Sequence, residues 1–258
     1  MIKITRDKYP KPHPYRQGVN KGCERWRKVE NDTLIAYNNN SIPFEDGTYT
    51  FPIHPSYNEW KKELIENQGR KCCYCEKVID PGELEHYRPK KAWSQAKGSS
   101  LTRPGYYWLA YRWNNLLLSC GECNDSSRKG NVFPINGIRA VNQQSDLSLE
   151  DEQLINPYEE DPSIFLDFIE DIPVSIHPKG NTTINLLDLQ NRADLKTVRR
   201  DRWELYEIQN EISKLPSAMG PFTNDKIKKA KSFVLTASKQ KHQFSGMIRA
   251  NISNRTFL

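Results

Sequence analysis

The sequence predicts an α+β chain, with a central cysteine-stapled module embedded in mainly α-helical surroundings. Three observations carry that expectation. Five of the six cysteines fall into two tight clusters, Cys72-Cys73-Tyr74-Cys75 and Cys120-Gly121-Glu122-Cys123. Apolar residues recur at helical spacing before the first cluster and again towards the C-terminus. One stretch in the C-terminal half carries β-branched residues on either side of Pro178-Lys179-Gly180-Asn181, the pattern of a short hairpin. Residues 1–55 are therefore expected to be an irregular N-terminal extension and 56–140 the stapled module. Residues 141–258 are expected to hold an acidic linker, the hairpin and a helical region.

In chain order, Pro10, Pro12 and Pro14 alternate with basic and aromatic residues, and Asn38-Asn39-Asn40 and Glu45-Asp46-Gly47 mark turns. Ser56-Tyr57-Asn58-Glu59 fits a capping box. It opens a helix with Trp60, Leu64 and Ile65 on one face, stopping at Gly69. A polar linker around Asn142–Ser145 follows the module, and Pro173 to Ile184 is the expected hairpin. A helix from near Asn191 carries Leu195, Val198, Leu205, Ile208 and Ile212 before Pro216. Another runs from about Asn224 through Ile227, Ala230, Phe233 and Val234. There is no internal repeat and no low-complexity tract.

The two C-x-x-C pairs carry the strongest chemical signal. A pair at that spacing can turn both thiolates towards one ion, and two pairs complete the tetrahedron that zinc prefers. Cys72, Cys75, Cys120 and Cys123 are the predicted zinc ligands, with Cys73 pointing away and Gly121 serving a tight knuckle turn. Such a four-thiolate site is closed, and therefore structural rather than catalytic. Cys23 stands apart and is expected to be a free thiol.

Composition narrows the function classes. With 36% hydrophobic and 27% charged residues the chain has ordinary globular proportions. The run Leu116-Leu117-Leu118 breaks off at Ser119-Cys120, far short of a membrane span. The charged start Met1–Lys8 has no apolar h-region behind it, so the chain is expected to work in the cytosol, away from membranes. The net charge of +6 is unevenly spread. Residues 70–130 hold eleven Lys/Arg against six Asp/Glu, whereas 145–171 hold ten acidic residues and no Lys or Arg. From 172 onward the balance is fifteen basic to seven acidic. Such basic segments permit contact with a polyanion without establishing it.

Between the knuckles, Glu85-His86-Tyr87-Arg88-Pro89-Lys90 sets a carboxylate beside a histidine. Tyr111-Arg112-Trp113-Asn114-Asn115-Leu116 follows, and the second knuckle runs directly into Asn124, with Arg128 and Lys129 behind it. Taken alone, an acid beside a histidine is more often a surface pair than a site; here order and spacing add weight. Tyr106-Tyr107-Trp108, Tyr111 and Trp113 could stack bases, but covering the module's small core is the favoured reading.

This order resembles that of the HNH (ββα-metal) endonuclease family: a C-x-x-C knuckle, an acid–His pair on a strand, a central Asn, and a second knuckle followed at once by His or Asn. The resemblance implies a hairpin carrying His86 packed on a helix beginning near Asn124, with a divalent cation between them. It implies His86 as general base, since imidazole titrates near neutral pH. It implies Glu85 and Asn124 as ligands of magnesium or manganese, given their hard oxygens, and Asn115 as the residue that orients His86. Arg88, Lys90, Arg128 and Lys129 are the implied nucleic-acid contacts, reaching phosphates without reading sequence. Asn124 stands where many members have His.

A narrower resemblance is to the PtuB-like HNH nucleases of Septu and retron anti-phage systems. It is carried by Cys72-Cys73-Tyr74-Cys75-Glu76, Glu85–Lys90, Trp113-Asn114-Asn115-Leu116, Val132-Phe133-Pro134, Ile155–Pro162 and Thr183–Leu187, roughly residues 60 to 205. It implies a PtuA-like ATPase partner and, for retron members, a reverse transcriptase with its RNA–DNA product. DNA is favoured over RNA as substrate. A non-catalytic zinc-ribbon module that binds nucleic acid or the ATPase stays open as the alternative, as does an RNA (tRNA) nuclease.

Overall fold

The first helix forms where the sequence reads as irregular. In α1 (Lys21–Asn39) the inward face is Trp26, Glu30 and Thr33, all buried, with partly buried Tyr37 next in line. Two polar residues on that face hide the apolar period that would have announced a helix. Glu30 is matched there by an ion pair with Arg112. A short α2 (Ile42–Asp46) follows and closes on Gly47 at φ 85°. Its Phe44 stacks on Tyr49 at 3.8 Å between ring centroids. The computed structural model describes residues 1–6, 21–53, 57–216 and 220–255. Pro10, Pro12, Pro14 and the expected cap Ser56 lie outside them, as does the side chain of Cys23.

Helix α3 (Tyr57–Gln68) buries Trp60 and Leu64 on the expected face, with Ile65 partly covered. Trp60 meets Trp26 and Trp113 edge-on at 5.6 and 5.4 Å. At the end of α3 the buried amide of Gln68 donates to the carbonyls of Lys71 and Leu118 at 2.7 and 2.8 Å. Its oxygen accepts the Leu118 N–H at 3.0 Å and the Tyr158 hydroxyl at 2.8 Å. All its hydrogen-bonding capacity serves to join the helix, the first knuckle, a strand and the acidic stretch.

The central sheet is one antiparallel pair. β1 (Glu83–His86) runs against β2 (Leu116–Ser119), with His86 opposite Leu116 and Glu83 opposite Ser119. The intervening segment, 87–115, folds over the pair. Its aromatics Tyr106, Tyr107, Trp108, Tyr111 and Trp113 are all buried, so they build the core, as the favoured reading had it. α4 (Gly121–Asn124) is four residues long and ends at Asn124, giving way to a turn. The helix expected to begin near Asn124 is therefore absent from this position. Nor is Gly121 required by a left-handed backbone. Added at this glycine, a Cβ would come within 3.2 Å of Glu83 Oε1.

The hairpin lies upstream of its expected place. β3 (Leu166–Ile169) pairs with β4 (Ile172–Ser175) around Glu170 and Asp171. Pro178 instead occupies the first turn of α5 (Pro178–Leu187), with His177 as N-cap accepting the Lys179 N–H on Nδ1 at 3.2 Å. Proline suits that position, because the first helical N–H groups have no intrahelical acceptor. α6 (Ala193–Ser213) and α7 (Pro221–Ala237) appear where helical spacing places them and pack on each other. The inner face of α6, however, is Leu195, Arg199, Trp203 and Tyr206, while Leu205 and Ile208 are exposed. α8 (Ser245–Arg255) closes the chain against β3. No helix among the described residues is long and apolar enough to cross a membrane.

Part of the acidic stretch is spent inside the fold. Buried Glu150 accepts from Arg88 Nε at 2.7 Å, the Tyr106 hydroxyl at 2.6 Å and the Ala140 N–H at 3.0 Å. Glu160 holds Lys179 at 2.5 Å, and Asp171 meets Arg200 at 3.3 Å. Asp146 and Asp161 cap short turns.

Candidate active site and metal centre

The two knuckles converge. The sulfurs of Cys72, Cys75, Cys120 and Cys123 all lie within 4.8 Å of one another, and Cys75 and Cys120 are 3.7 Å apart. A tetrahedron with metal–sulfur bonds of about 2.3 Å has sulfurs about 3.8 Å apart, so the cage fits a thiolate-bound ion. Cys120 caps α4, its sulfur accepting the Cys123 N–H at 3.4 Å. Burial pushes the Cys72 thiol up, while contacts with the other three sulfurs pull Cys120 down. So many buried thiols favour ionisation only where a cation balances them. Cys73 is buried outside this group, its N–H bonded to the Leu118 carbonyl at 3.0 Å. Four buried cysteines that could hold a structural metal are thus present. Among the described residues no other cluster of three or more His, Cys, Asp or Glu side chains comes as close together.

The second feature is a cavity of about 290 Å³ beside β1. Glu85, His86, Lys90, Lys91, Asn124 and Asn131 are among its lining residues. Strand β1 supplies the first two, the loop after it the lysines, and the end of α4 supplies Asn124.

His86 is held by its ring. Nε2 lies 2.9 Å from the carbonyl oxygen of Ala110. A carbonyl only accepts, so Nε2 carries the proton and Nδ1 is the basic nitrogen. Asn115 fixes the backbone around that contact. Its side-chain nitrogen donates to the carbonyls of Arg88 and Leu109 at 3.0 and 3.2 Å, and its oxygen accepts the Arg88 N–H at 2.8 Å. It thereby joins the exit of β1 to the segment that presents Ala110.

Glu85 is buried, and its Oε1 lies 2.5 Å from Lys129 Nζ. The same ammonium donates to the carbonyl of His86 at 2.7 Å. Burial raises the Glu85 carboxyl above the usual range, outweighing the lowering by Lys129. Asn124 donates from Nδ2 to Glu83 Oε2 at 2.8 Å, which leaves its side-chain oxygen as the group a cation could use.

The four residues expected on phosphates divide sharply. Lys90 is on the cavity wall beside Lys91, its ammonium 5.3 Å from the ring centre of Phe51; burial and Lys91 lower its pKa. Lys129 is wholly buried against Glu85. Arg88 is clamped between Glu150 and Glu152, and Arg128 is bound to Glu122 at 2.9 Å. Sequence reasoning passed over Lys91 and Arg192. Arg192 reaches from the start of α6 to place Nη1 3.1 Å from Cys123 Sγ. The two stand 69 positions apart in the chain, so no local spacing signals that contact.

No family model matches the chain, and no solved structure matches it. Among curated proteins it is similar to Septu protein PtuB of Bacillus mycoides (strain KBAB4). The two are 40% identical over 203 residues, covering 73% of this chain and 66% of that protein. The chain thus spans just under two thirds of that relative's length. With that identity across nearly three quarters of its own residues, the chain belongs to the PtuB-like family.

Proposed function

We propose that the chain is a metal-dependent HNH-type endonuclease, the effector of an anti-phage Septu or retron system that works with a PtuA-like ATPase. The observation that carries this reading is the shared cavity. His86, with its tautomer fixed, buried Glu85 and Asn124 line one space together with Lys90 and Lys91. Membership of the PtuB-like family supports the defence role and the ATPase partner. The four-cysteine cage is read as structural zinc.

In the proposed reaction, His86 Nδ1 takes a proton from a water molecule as it attacks phosphorus, while Ala110 keeps the ring oriented. Asn115 holds the backbone that presents that carbonyl. A magnesium or manganese ion held by Glu85 and Asn124 would supply Lewis acidity at a phosphate oxygen and offset charge on the leaving 3′ oxygen. Lys90 and Lys91 attract the flanking phosphates.

A second reading has its own support. Asn124 is already bonded to Glu83 and Glu85 to Lys129, as in a module that binds nucleic acid or the ATPase without cutting. Product chemistry separates the readings. Plasmid DNA and total tRNA are incubated with the chain, with and without a PtuA-like ATPase, in magnesium or manganese. Metal-dependent products ending in 5′ phosphate support the nuclease. Cyclic phosphate ends on RNA indicate a 2′-hydroxyl mechanism in place of water attack, and retention of nucleic acid without products favours the binding module.

A further inference from the structure

We propose that Arg192 is an outer-sphere ligand of the metal held by the four cysteines, and that through it the metal ties α6 to both knuckles. The inference rests on the reading of the cysteine cage as a metal centre. Arg192 Nη1 lies 3.1 Å from Cys123 Sγ, and the side chain is almost completely buried. Its remaining nitrogens grip one carboxylate. Nε meets Asp194 Oδ1 at 3.0 Å and Nη2 meets Oδ2 at 2.8 Å, a two-pronged pairing that fixes the guanidinium plane. Asp194 Oδ2 also accepts from Lys77 Nζ at 2.9 Å. Lys77 follows Cys75 by two residues. The contacts therefore run from the second knuckle through Arg192 and Asp194 back to the first.

Charge explains why these groups gather here. Four thiolates around one divalent cation leave two negative charges in excess. Burying such a group is costly unless nearby cations and hydrogen bonds offset it. Arg192 supplies both at Cys123, and Lys77 adds a second cation on the Asp194 oxygen that Arg192 also holds. An Arg–Asp pair two residues apart needs no burial to form. The contact with sulfur gives the inward reach of Nη1 its purpose, and it places the start of α6 on the metal centre.

The test compares full-length wild type, Arg192→Leu and Asp194→Asn. Zinc release to a chromophoric chelator and the thiolate-to-cobalt charge-transfer bands of the cobalt-substituted protein are measured, with neither depending on activity. Loss of an outer-sphere partner weakens metal sites by about 10- to 100-fold. Arg192→Leu is expected to lose zinc affinity in that range and to shift the cobalt bands. Asp194→Asn, altered at a residue one-third exposed and away from the thiols, is expected to change both in the same direction by less. In wild type, stripping zinc is expected to abolish amide protection in the first turns of α6. Should Arg192→Leu fail to fold, Asp194→Asn decides: a changed zinc affinity supports the inference and wild-type values overturn it. Metallated protein whose folded variants match wild type in affinity and spectra refutes the role of Arg192 alone. A wild-type chain that binds neither zinc nor cobalt refutes the metal centre as well.

Discussion

At the scale of single residues, burial and partners sort the basic side chains that sequence alone treated alike. Lys90 faces the cavity, whereas Lys129, Arg88 and Arg128 are committed to Glu85, to Glu150 and Glu152, and to Glu122. Charge and position in the motif were legible; the partners were not, because Glu150 and Glu152 stand more than sixty residues from Arg88. The buried ammonium of Lys129 binds both the Glu85 carboxylate and the His86 carbonyl, so it acts on the site from within. Lys129→Met leaves Glu85 buried without its counter-ion, a change that costs about 3–5 kcal/mol in comparable buried pairs. Urea denaturation should show a loss of that size. A loss under about 1 kcal/mol, the usual worth of an exposed pair, would contradict the assignment.

At the scale of elements, the cysteine spacing places the knuckles, because a C-x-x-C pair can turn both thiolates to one point, whereas the strand under Glu85-His86 is what the family resemblance implies. Elements whose buried faces mix polar and apolar residues were harder to read. α1 presents Glu30 and Thr33 inward, and α6 presents Arg199. The hairpin lies upstream of the expected turn at Pro178 because that proline starts α5. The loop after β1 depends on a close approach. A Cβ on Gly105 would lie 2.5 Å from the Pro89 carbonyl oxygen and 2.6 Å from Ala92 N, both backbone atoms with little room to yield. Gly105→Ala should therefore push the segment bearing Lys90 and Lys91 outward and destabilise the fold by about 1–3 kcal/mol. Thermal melts and amide chemical shifts of residues 89–92 measure this; unchanged values would show that the contact relaxes freely.

At the scale of the whole molecule, long-range contacts join the C-terminal half to the central module, and two sets of them lie next to the site and the cage. Glu150 and Glu152 of the acidic stretch hold Arg88, immediately beyond β1, and Arg192 of the helical region reaches the cysteine cage. The acidic run is legible in the sequence as a charge pattern, and three of its carboxylates are engaged by Arg88 and Lys179. Both sets act on the part of the chain that holds the cage. Zinc contributes on the order of 10 kcal/mol to small thiolate-bound folds. Chelation should therefore lower the unfolding temperature of the whole chain in a single step. A melt insensitive to chelator, in protein shown to contain zinc beforehand, would mean that the cage is not the staple.

We propose His86 as the general base of a phosphodiester hydrolase. Its most direct test is single-turnover cleavage of plasmid DNA by wild type and His86→Ala, with the PtuA-like ATPase and manganese present and the zinc content of both proteins matched. A fall in rate of about 100- to 10,000-fold is expected in the variant, with stability and zinc unchanged. Equal rates for the two proteins would contradict it.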